Sequence, residues 1–215
     1  MEGSTRQPDD LDLNVVPFAD IRGMFCIVTE KLDGANVGIS FDKDKNIRLQ
    51  NRGHYLTGGK QEGQFDLLKQ WAATYQYELW QSLGDRFILF GEWLYITHSI
   101  HYTSLPDFFL AFALYDKLCT VFVPFEELKD VFYSIYHVPI IKKGYLQSID
   151  ELIALIGISA YSNEQMEGVV IHANYPSDYS KSLHCKYVRP SFTQQVNDDI
   201  HWKKKPVRYN QLKGK

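Results

Sequence analysis

The chain has 215 residues, 45% hydrophobic and 14% aromatic, enough to bury the core of one ordinary domain or at most two small ones, which excludes general disorder. Its 23 Lys and Arg against 26 Asp and Glu leave a formal net charge of -3, so there is no bulk polycation and any nucleic-acid contact must rest on a local basic surface. The cysteines Cys26, Cys119 and Cys185 fit no metal-finger spacing and read as reduced thiols, while the absence of a membrane-length apolar run or a signal-like start predicts a soluble, intracellular chain, cytoplasmic with the nucleus left open.

Residues 1–12 read as a flexible leader, 13–197 as the folded domain and 198–215 as a basic tail. Residues 25–29 are an apolar, strand-like run. Residues 36–41 alternate with period two, 42–46 are turn-rich and 47–50 return as a strand, so a hairpin is expected. After the Gly58-Gly59 loop a helix starts near Glu62, with Phe65, Leu68, Trp71, Ala72, Tyr75 and Leu79 at helical spacing, and Gly84-Asp85 ends it. Residues 87–90 form a short buried strand feeding into Glu92, and 108–115 form another. Pro124 opens a helix over 125–136, its missing donor harmless in the first turn. Ser148 with Glu151 is a capping-box start for a helix running to Gly157. Residues 167–172 and 184–188 read as strands flanking a polar loop over 174–182. Strand pairs with helices set irregularly between them predict an α+β fold of antiparallel sheets.

Lys31 stands at the end of the first buried strand, beside Glu30 and before Leu32-Asp33-Gly34. A lysine there can be desolvated, lose part of its charge and become a nucleophile. Four further blocks follow in order: Asn51-Arg52-Gly53, Phe90-Gly91-Glu92-Trp93-Leu94, Glu167-Gly168-Val169-Val170-Ile171 and Lys186-Tyr187-Val188-Arg189. With Lys31 they resemble the covalent nucleotidyltransferase superfamily of RNA ligases, DNA ligases and mRNA capping enzymes. Within it, TEKLDGAN, FGEWLYITHSIHY, EGVVI and KYVRPSF are most similar to the RNA ligase family, specifically relatives of the second class of bacteriophage RNA ligase.

The resemblance implies an ATP-grasp-like crevice between antiparallel sheets, and an enzyme that uses ATP with Mg²⁺ or Mn²⁺. Lys31 would take AMP from ATP as a phosphoramidate, AMP would pass to an RNA 5′-phosphate, and a 3′-hydroxyl would then seal the strand in RNA repair or end joining. Displacing pyrophosphate requires a neutral amine, so nearby positive charge and exclusion of water should depress the Lys31 pKa. By the resemblance Glu92 bonds the nucleotide ribose, Glu167 places the metal or its water with Glu92 as a second acidic ligand, Lys186 contacts the α-phosphate, and Arg52 engages phosphate. Asn36 and Glu30 border the nucleophile as nucleotide contacts, and Phe112 is the ring expected to stack on adenine. RNA is the expected partner, with repair domains or proteins beside it and no membrane; a monomer is expected. Nicked DNA, a capped RNA end or a protein remain as other acceptors, and a non-catalytic nucleotide- or RNA-binding relative is the reading from another class. Only 193–215 follow the last motif, too short for the added domains of capping enzymes, DNA ligases or phage relatives, so a stand-alone catalytic domain or a piece of a longer protein is expected.

The chain departs from the family pattern at two places. Ala113 stands where relatives commonly carry Asp, with Asp116 as a possible substitute. His184 stands where the first lysine of Lys-x-Lys is usual, which would steepen the pH dependence of adenylation; Lys181 is another donor. His98 and His101 are three apart, as on one helix face, but lack a third ligand nearby, so packing or RNA contact is expected. In the tail, Lys203, Lys204, Lys205, Arg208, Lys213 and Lys215 interleave with Trp202 and Tyr209, which suits phosphate contact and stacking, or a solvated end.

Overall fold

The computed structural model describes residues 16–52, 54–132, 134–174, 182–192 and 207–214. Among them the strands are β1 (Phe25–Lys31), β2 (Ala35–Phe41), β3 (Ile47–Asn51), β4 (Phe87–Trp93), β5 (Phe109–Asp116), β6 (Val121–Val123), β7 (Ile140–Tyr145), β8 (Gly168–Asn174) and β9 (Leu183–Val188). The helices are α1 (Asp66–Thr74), α2 (Gln76–Leu83), α3 (Phe125–Val131) and α4 (Ile149–Ala154). All pairings within the two sheets are antiparallel, in the orders β7-β1-β8-β9 and β3-β2-β4-β5-β6. The fold is α+β, as the pattern of elements predicted.

β1 is buried along five consecutive residues because it is an inner strand with a core on each face. Cys26 and Val28 join a small core with Phe18, Leu146, Leu152, Val169, Ile171 and Tyr187. Ile27 turns the other way and joins the large core of Val37, Ile39, Leu68, Leu79, Leu89 and Trp93. The β2–β3 hairpin forms in the expected place, with Val37 opposite Asn51 and Phe41 opposite Ile47.

Several boundaries differ from the periodic pattern for local reasons. The first helical stretch opens as a 3₁₀ turn over Lys60–Phe65 and is interrupted at Tyr75, whose φ of -94° and ψ of 6° separate α1 from α2. The Thr74 hydroxyl donates to the Gln70 carbonyl at 3.1 Å, a local bond that competes with regular helix geometry. α3 stops at Val131 rather than Tyr136, because the chain turns extended at Phe132 and returns to β5. There Ala111 donates to the Tyr136 carbonyl and accepts from Val138. α4 is capped as predicted, its Glu151 amide donating to Ser148 Oγ at 3.1 Å, but it ends at Ala154. β6 and β7 were not expected; β7 is a sheet edge carrying Lys142 and Lys143, residues that discourage edge-to-edge pairing.

Candidate active site

Strand alternation sorts the site. In the first sheet Cys26, Val28, Val169, Ile171, Cys185 and Tyr187 all enter the small core. Their neighbours Lys31, Val170, His172, His184 and Lys186 therefore share the opposite face. In the second sheet Val37, Ile39, Leu89 and Trp93 enter the large core, which turns Asn36, Phe90 and Glu92 away from it. These two faces make the crevice, and Asn36 lies directly opposite Glu92 in the β2–β4 pairing.

Lys31 Nζ lies 2.7 Å from Glu167 Oε1, with 23% of the lysine side chain and 3% of the glutamate accessible. Burial alone would lower the Lys31 pKa, but Glu167, Glu92 and Asp33 together outweigh it and the net shift is upward. The expected depression is thus corrected: Asp33, two residues on, with Glu92 and Glu167 from distant parts of the chain, holds this amine as an ammonium ion. Burial pushes the Glu92 carboxyl up to about 8, with Lys31 opposing and Glu167 and Asp33 reinforcing the shift. Burial also raises Glu167. Arg52 acts electrostatically on Glu92, and Lys186 on Glu167, so both expected cations belong to this charge set.

Glu30 is moved by the structure. Alternation turns its side chain away from Lys31, and Oε2 accepts from the Ala160 amide at 3.0 Å, so the expected nucleotide contact is not made by a side chain in the crevice. Phe112 is the extra residue of a bulge, since Phe90 pairs with Ala113 and Gly91 with Ala111. It is half-buried against the large core. The rings that reach the first sheet are others: Phe122 packs 5.3 Å from His184 and 5.1 Å from Tyr115. Asp116 does not replace the missing acid at Ala113. Its carboxylate grips Arg86 and accepts from the Leu118 and Cys119 amides, a turn-forming role at the far end of β5.

His184 is no substitute cation. Its Nδ1 lies 3.2 Å from Nδ1 of His172, whose Nε2 is 3.3 Å from Thr29 Oγ1. Desolvation lowers both histidines, His172 to about 3 with the further push of His184. The pair is neutral at pH 7 and shares one proton. Because unfolded His172 takes up a proton below about pH 6.5 and the folded chain does not, this group costs stability as pH falls. The unfolding free energy of wild type relative to His172→Gln should therefore drop by about 2 kcal/mol between pH 8 and pH 5, measured by urea titration at each pH.

Glycine is required at two close approaches. A Cβ on Gly34 would lie 2.7 Å from Leu94 Cδ2 and 2.8 Å from the Trp93 carbonyl oxygen. A Cβ on Gly168 would sit 2.0 Å from the Tyr187 carbonyl oxygen. Backbone cannot yield there as a side-chain tip can, so Gly168→Ala should destabilise the fold by about 3 kcal/mol in urea unfolding. Next to it, Glu167 is anchored by the Arg189 amide, which donates to its carbonyl at 3.1 Å, while Arg189 Nε donates to the Met166 carbonyl at 2.8 Å.

His98 and His101 lie on no helix. His98 sits in the field of Asp33 and Lys31. His101 accepts from Arg208 at Nδ1, 2.7 Å away, and faces the Tyr209 carbonyl with Nε2 at 3.2 Å. The described part of the tail is therefore docked rather than free; its residues 198–206 and 215, and the loop lysine Lys181, lie outside the described residues, as does the leader. Sequence reasoning missed Arg189 as an anchor, and also Tyr102 and Asn210, taken up below.

The residues present fit a hard divalent cation. Glu167 Oε2 is buried and has no hydrogen-bond partner, and Glu92 and Glu167 offer oxygen ligands in one crevice. Among the described residues no three His, Cys, Asp or Glu side chains gather as a ready-made metal cage. A cation here would complete its shell with phosphate oxygens and water, as magnesium commonly does.

Solved structures share this architecture. Naegleria gruberi RNA ligase with pyrophosphate superposes with a TM-score of 0.62 at 22% identity, over 83% of this chain and 53% of that one. Two single-substitution variants of that enzyme, one with AMP and Mn and one with ATP and Mn, give TM-scores of 0.63 and 0.60 at 18% and 19% identity, each over 84% of this chain. They cover 54% and 53% of their own lengths, so this chain spans about half of each. At such identities the likeness speaks for the fold. No curated protein matches the chain. The family model described as RNA ligase matches residues 24–188, a span that begins just before β1 and closes on β9, and so takes in Lys31, Glu92, Glu167 and Lys186 together: the chain belongs to the RNA ligase family.

Proposed function

We propose that the chain is an ATP-dependent RNA ligase acting through a covalent lysyl–AMP. The observation that carries this reading is the Lys31 amine, 2.7 Å from a buried Glu167 and within the field of Glu92. Membership of the RNA ligase family supports it, as do the nucleotides and manganese in the Naegleria structures.

Lys31 attacks the α-phosphate of ATP. The N–P bond forms as the P–O bond to pyrophosphate breaks; the ammonium gives up one proton before attack and the amine a second as the N–P bond forms, passed through Glu167, 2.7 Å away, to solvent. Lys186 and Arg52 offer positive charge to the phosphates from two sides of the crevice. Glu92 and Asn36, opposite one another on β4 and β2, hold the ribose side of the nucleotide. Glu167 and Glu92 would hold Mg²⁺ or Mn²⁺, which when bound supplies charge that offsets the phosphate and weakens the carboxylates' hold on the Lys31 proton. The RNA 5′-phosphate then takes AMP from Lys31, breaking the N–P bond, and the nitrogen takes back two protons to become an ammonium ion again. Finally the 3′-hydroxyl attacks that phosphate, forms the phosphodiester and releases AMP.

Incubation with ATP labelled in the α-phosphate, in Mg²⁺ or Mn²⁺, should leave label on the protein that survives alkali and is released by acid, as a P–N bond requires, and a nicked RNA should then be sealed. An unlabelled protein under both metals would overturn the reading.

A further inference from the structure

Asp33, two residues after the nucleophile, is held from outside its own strand. Its amide donates to Tyr102 Oη at 2.8 Å, and its Oδ2 accepts from the Ser99 and Ile100 amides at 2.6 and 3.1 Å. These three partners belong to the 94–105 segment, which leaves β4 directly after Glu92 and Trp93. That segment in turn is fastened by Asn210. Asn210 Oδ1 accepts from Thr97 Oγ1 at 2.8 Å and from the Tyr102 amide at 2.9 Å, and Nδ2 donates to the Leu94 carbonyl at 2.8 Å. The Asn210 amide donates to the Tyr95 carbonyl at 3.1 Å. The residue is 3% exposed, and its side-chain donor and acceptor are both engaged.

No surface role explains so buried and so fully bonded an amide. A side chain that ties three points of one loop fixes the loop's shape, and here the loop fixes Asp33. Asp33 lies two residues beyond the end of β1, and a Cβ on Gly34 would meet Trp93 and Glu92. We infer that Asn210 is a positioning residue for the nucleophile: acting through Tyr102 and Asp33, it holds Lys31 at the height where its amine meets the α-phosphate. This rests on the ligase reading and adds to it a residue outside the family motifs.

The test uses the full chain with Asn210→Asp, which keeps the acceptor but loses the donor to Leu94, and with Tyr102→Phe, which removes only the acceptor for the Asp33 amide. Two rates are compared: formation of protein–AMP from ATP, which needs the Lys31 amine placed, and sealing of a pre-adenylated RNA strand, which does not use that amine as a nucleophile. Asn210→Asp should slow the first about 100-fold, the scale on which a misplaced reacting group acts, and the second less than about threefold. Tyr102→Phe should shift the same ratio in the same direction. Equal losses in both rates, or no loss in either variant, would overturn the inference.

Hydrogen–deuterium exchange on the same proteins separates this tether from the ligase reading. Asn210→Asp should speed exchange over residues 31–36 and 97–102 and leave 168–174 unchanged, whatever the substrate. A wild type that takes no AMP would sink the ligase reading while this readout still decides the tether. If Asn210→Asp does not fold, Tyr102→Phe decides on both measurements.

Discussion

Lys31→Ala should leave no covalent nucleotide on the chain, a loss of at least about 10⁴-fold in adenylate formation on the scale seen when a covalent nucleophile is removed. The alanine variant alone would confound two roles, because it also strips Glu167 of its 2.7 Å partner. Lys31→Arg separates them. A guanidinium keeps the charge and can keep the ion pair, yet it does not deprotonate under these conditions. Both variants should therefore be inactive in labelling with ATP, while Lys31→Arg retains more of the wild-type stability in urea. Label on either variant would move the nucleophile to another residue.

Glu167→Gln carries the second large effect. The amide preserves size and leaves the adjoining Gly168 contact with Tyr187 undisturbed, but it removes the charge that faces Lys31. A hard cation bound there would lose an anionic oxygen ligand, and Glu167 Oε2 is already buried without a partner. Adenylate formation at saturating ATP should fall by about 10²- to 10³-fold, the range for losing one group that manages transition-state charge. The variant should need more Mg²⁺ to reach half its maximal rate. Stability should fall as well, because the partly buried Lys31 ammonium loses its 2.7 Å partner. An unchanged rate across a magnesium titration would remove Glu167 from the chemistry.

Much of this was legible in the order of residues. Period-two alternation in Asn36–Phe41 and the turn after it located the hairpin, and the apolar run before Lys31 located an inner strand whose last residue meets Glu167. The ordered blocks around Lys31, Glu92, Glu167 and Lys186 marked the crevice because each residue lies in a strand or directly before one, where a short word carries both geometry and chemistry. What escaped was whatever depends on summation over distance. The direction of the Lys31 shift is a balance between burial and three carboxylates at positions 33, 92 and 167. The turning of Glu30 toward Ala160 and the occupation of Asp116 by Arg86 follow from partners that no local pattern names. His184 read alone suggested a weak cation; beside His172 it is half of a neutral pair. Asn210 had no local signal, since its partners lie more than a hundred positions upstream.

That separation has a consequence for the order in which the protein comes into being. Tyr102 leaves the ribosome 108 positions before Asn210, and until the later residue emerges the carbonyl of Leu94, the hydroxyl of Thr97 and the amide of Tyr102 lack their shared partner. A polypeptide clipped before Asn210 carries Lys31 and Asp33 from early on but holds them in a slack frame. The frame around Asp33 therefore closes only once residue 210 has emerged, and any copy interrupted before that point would lack it.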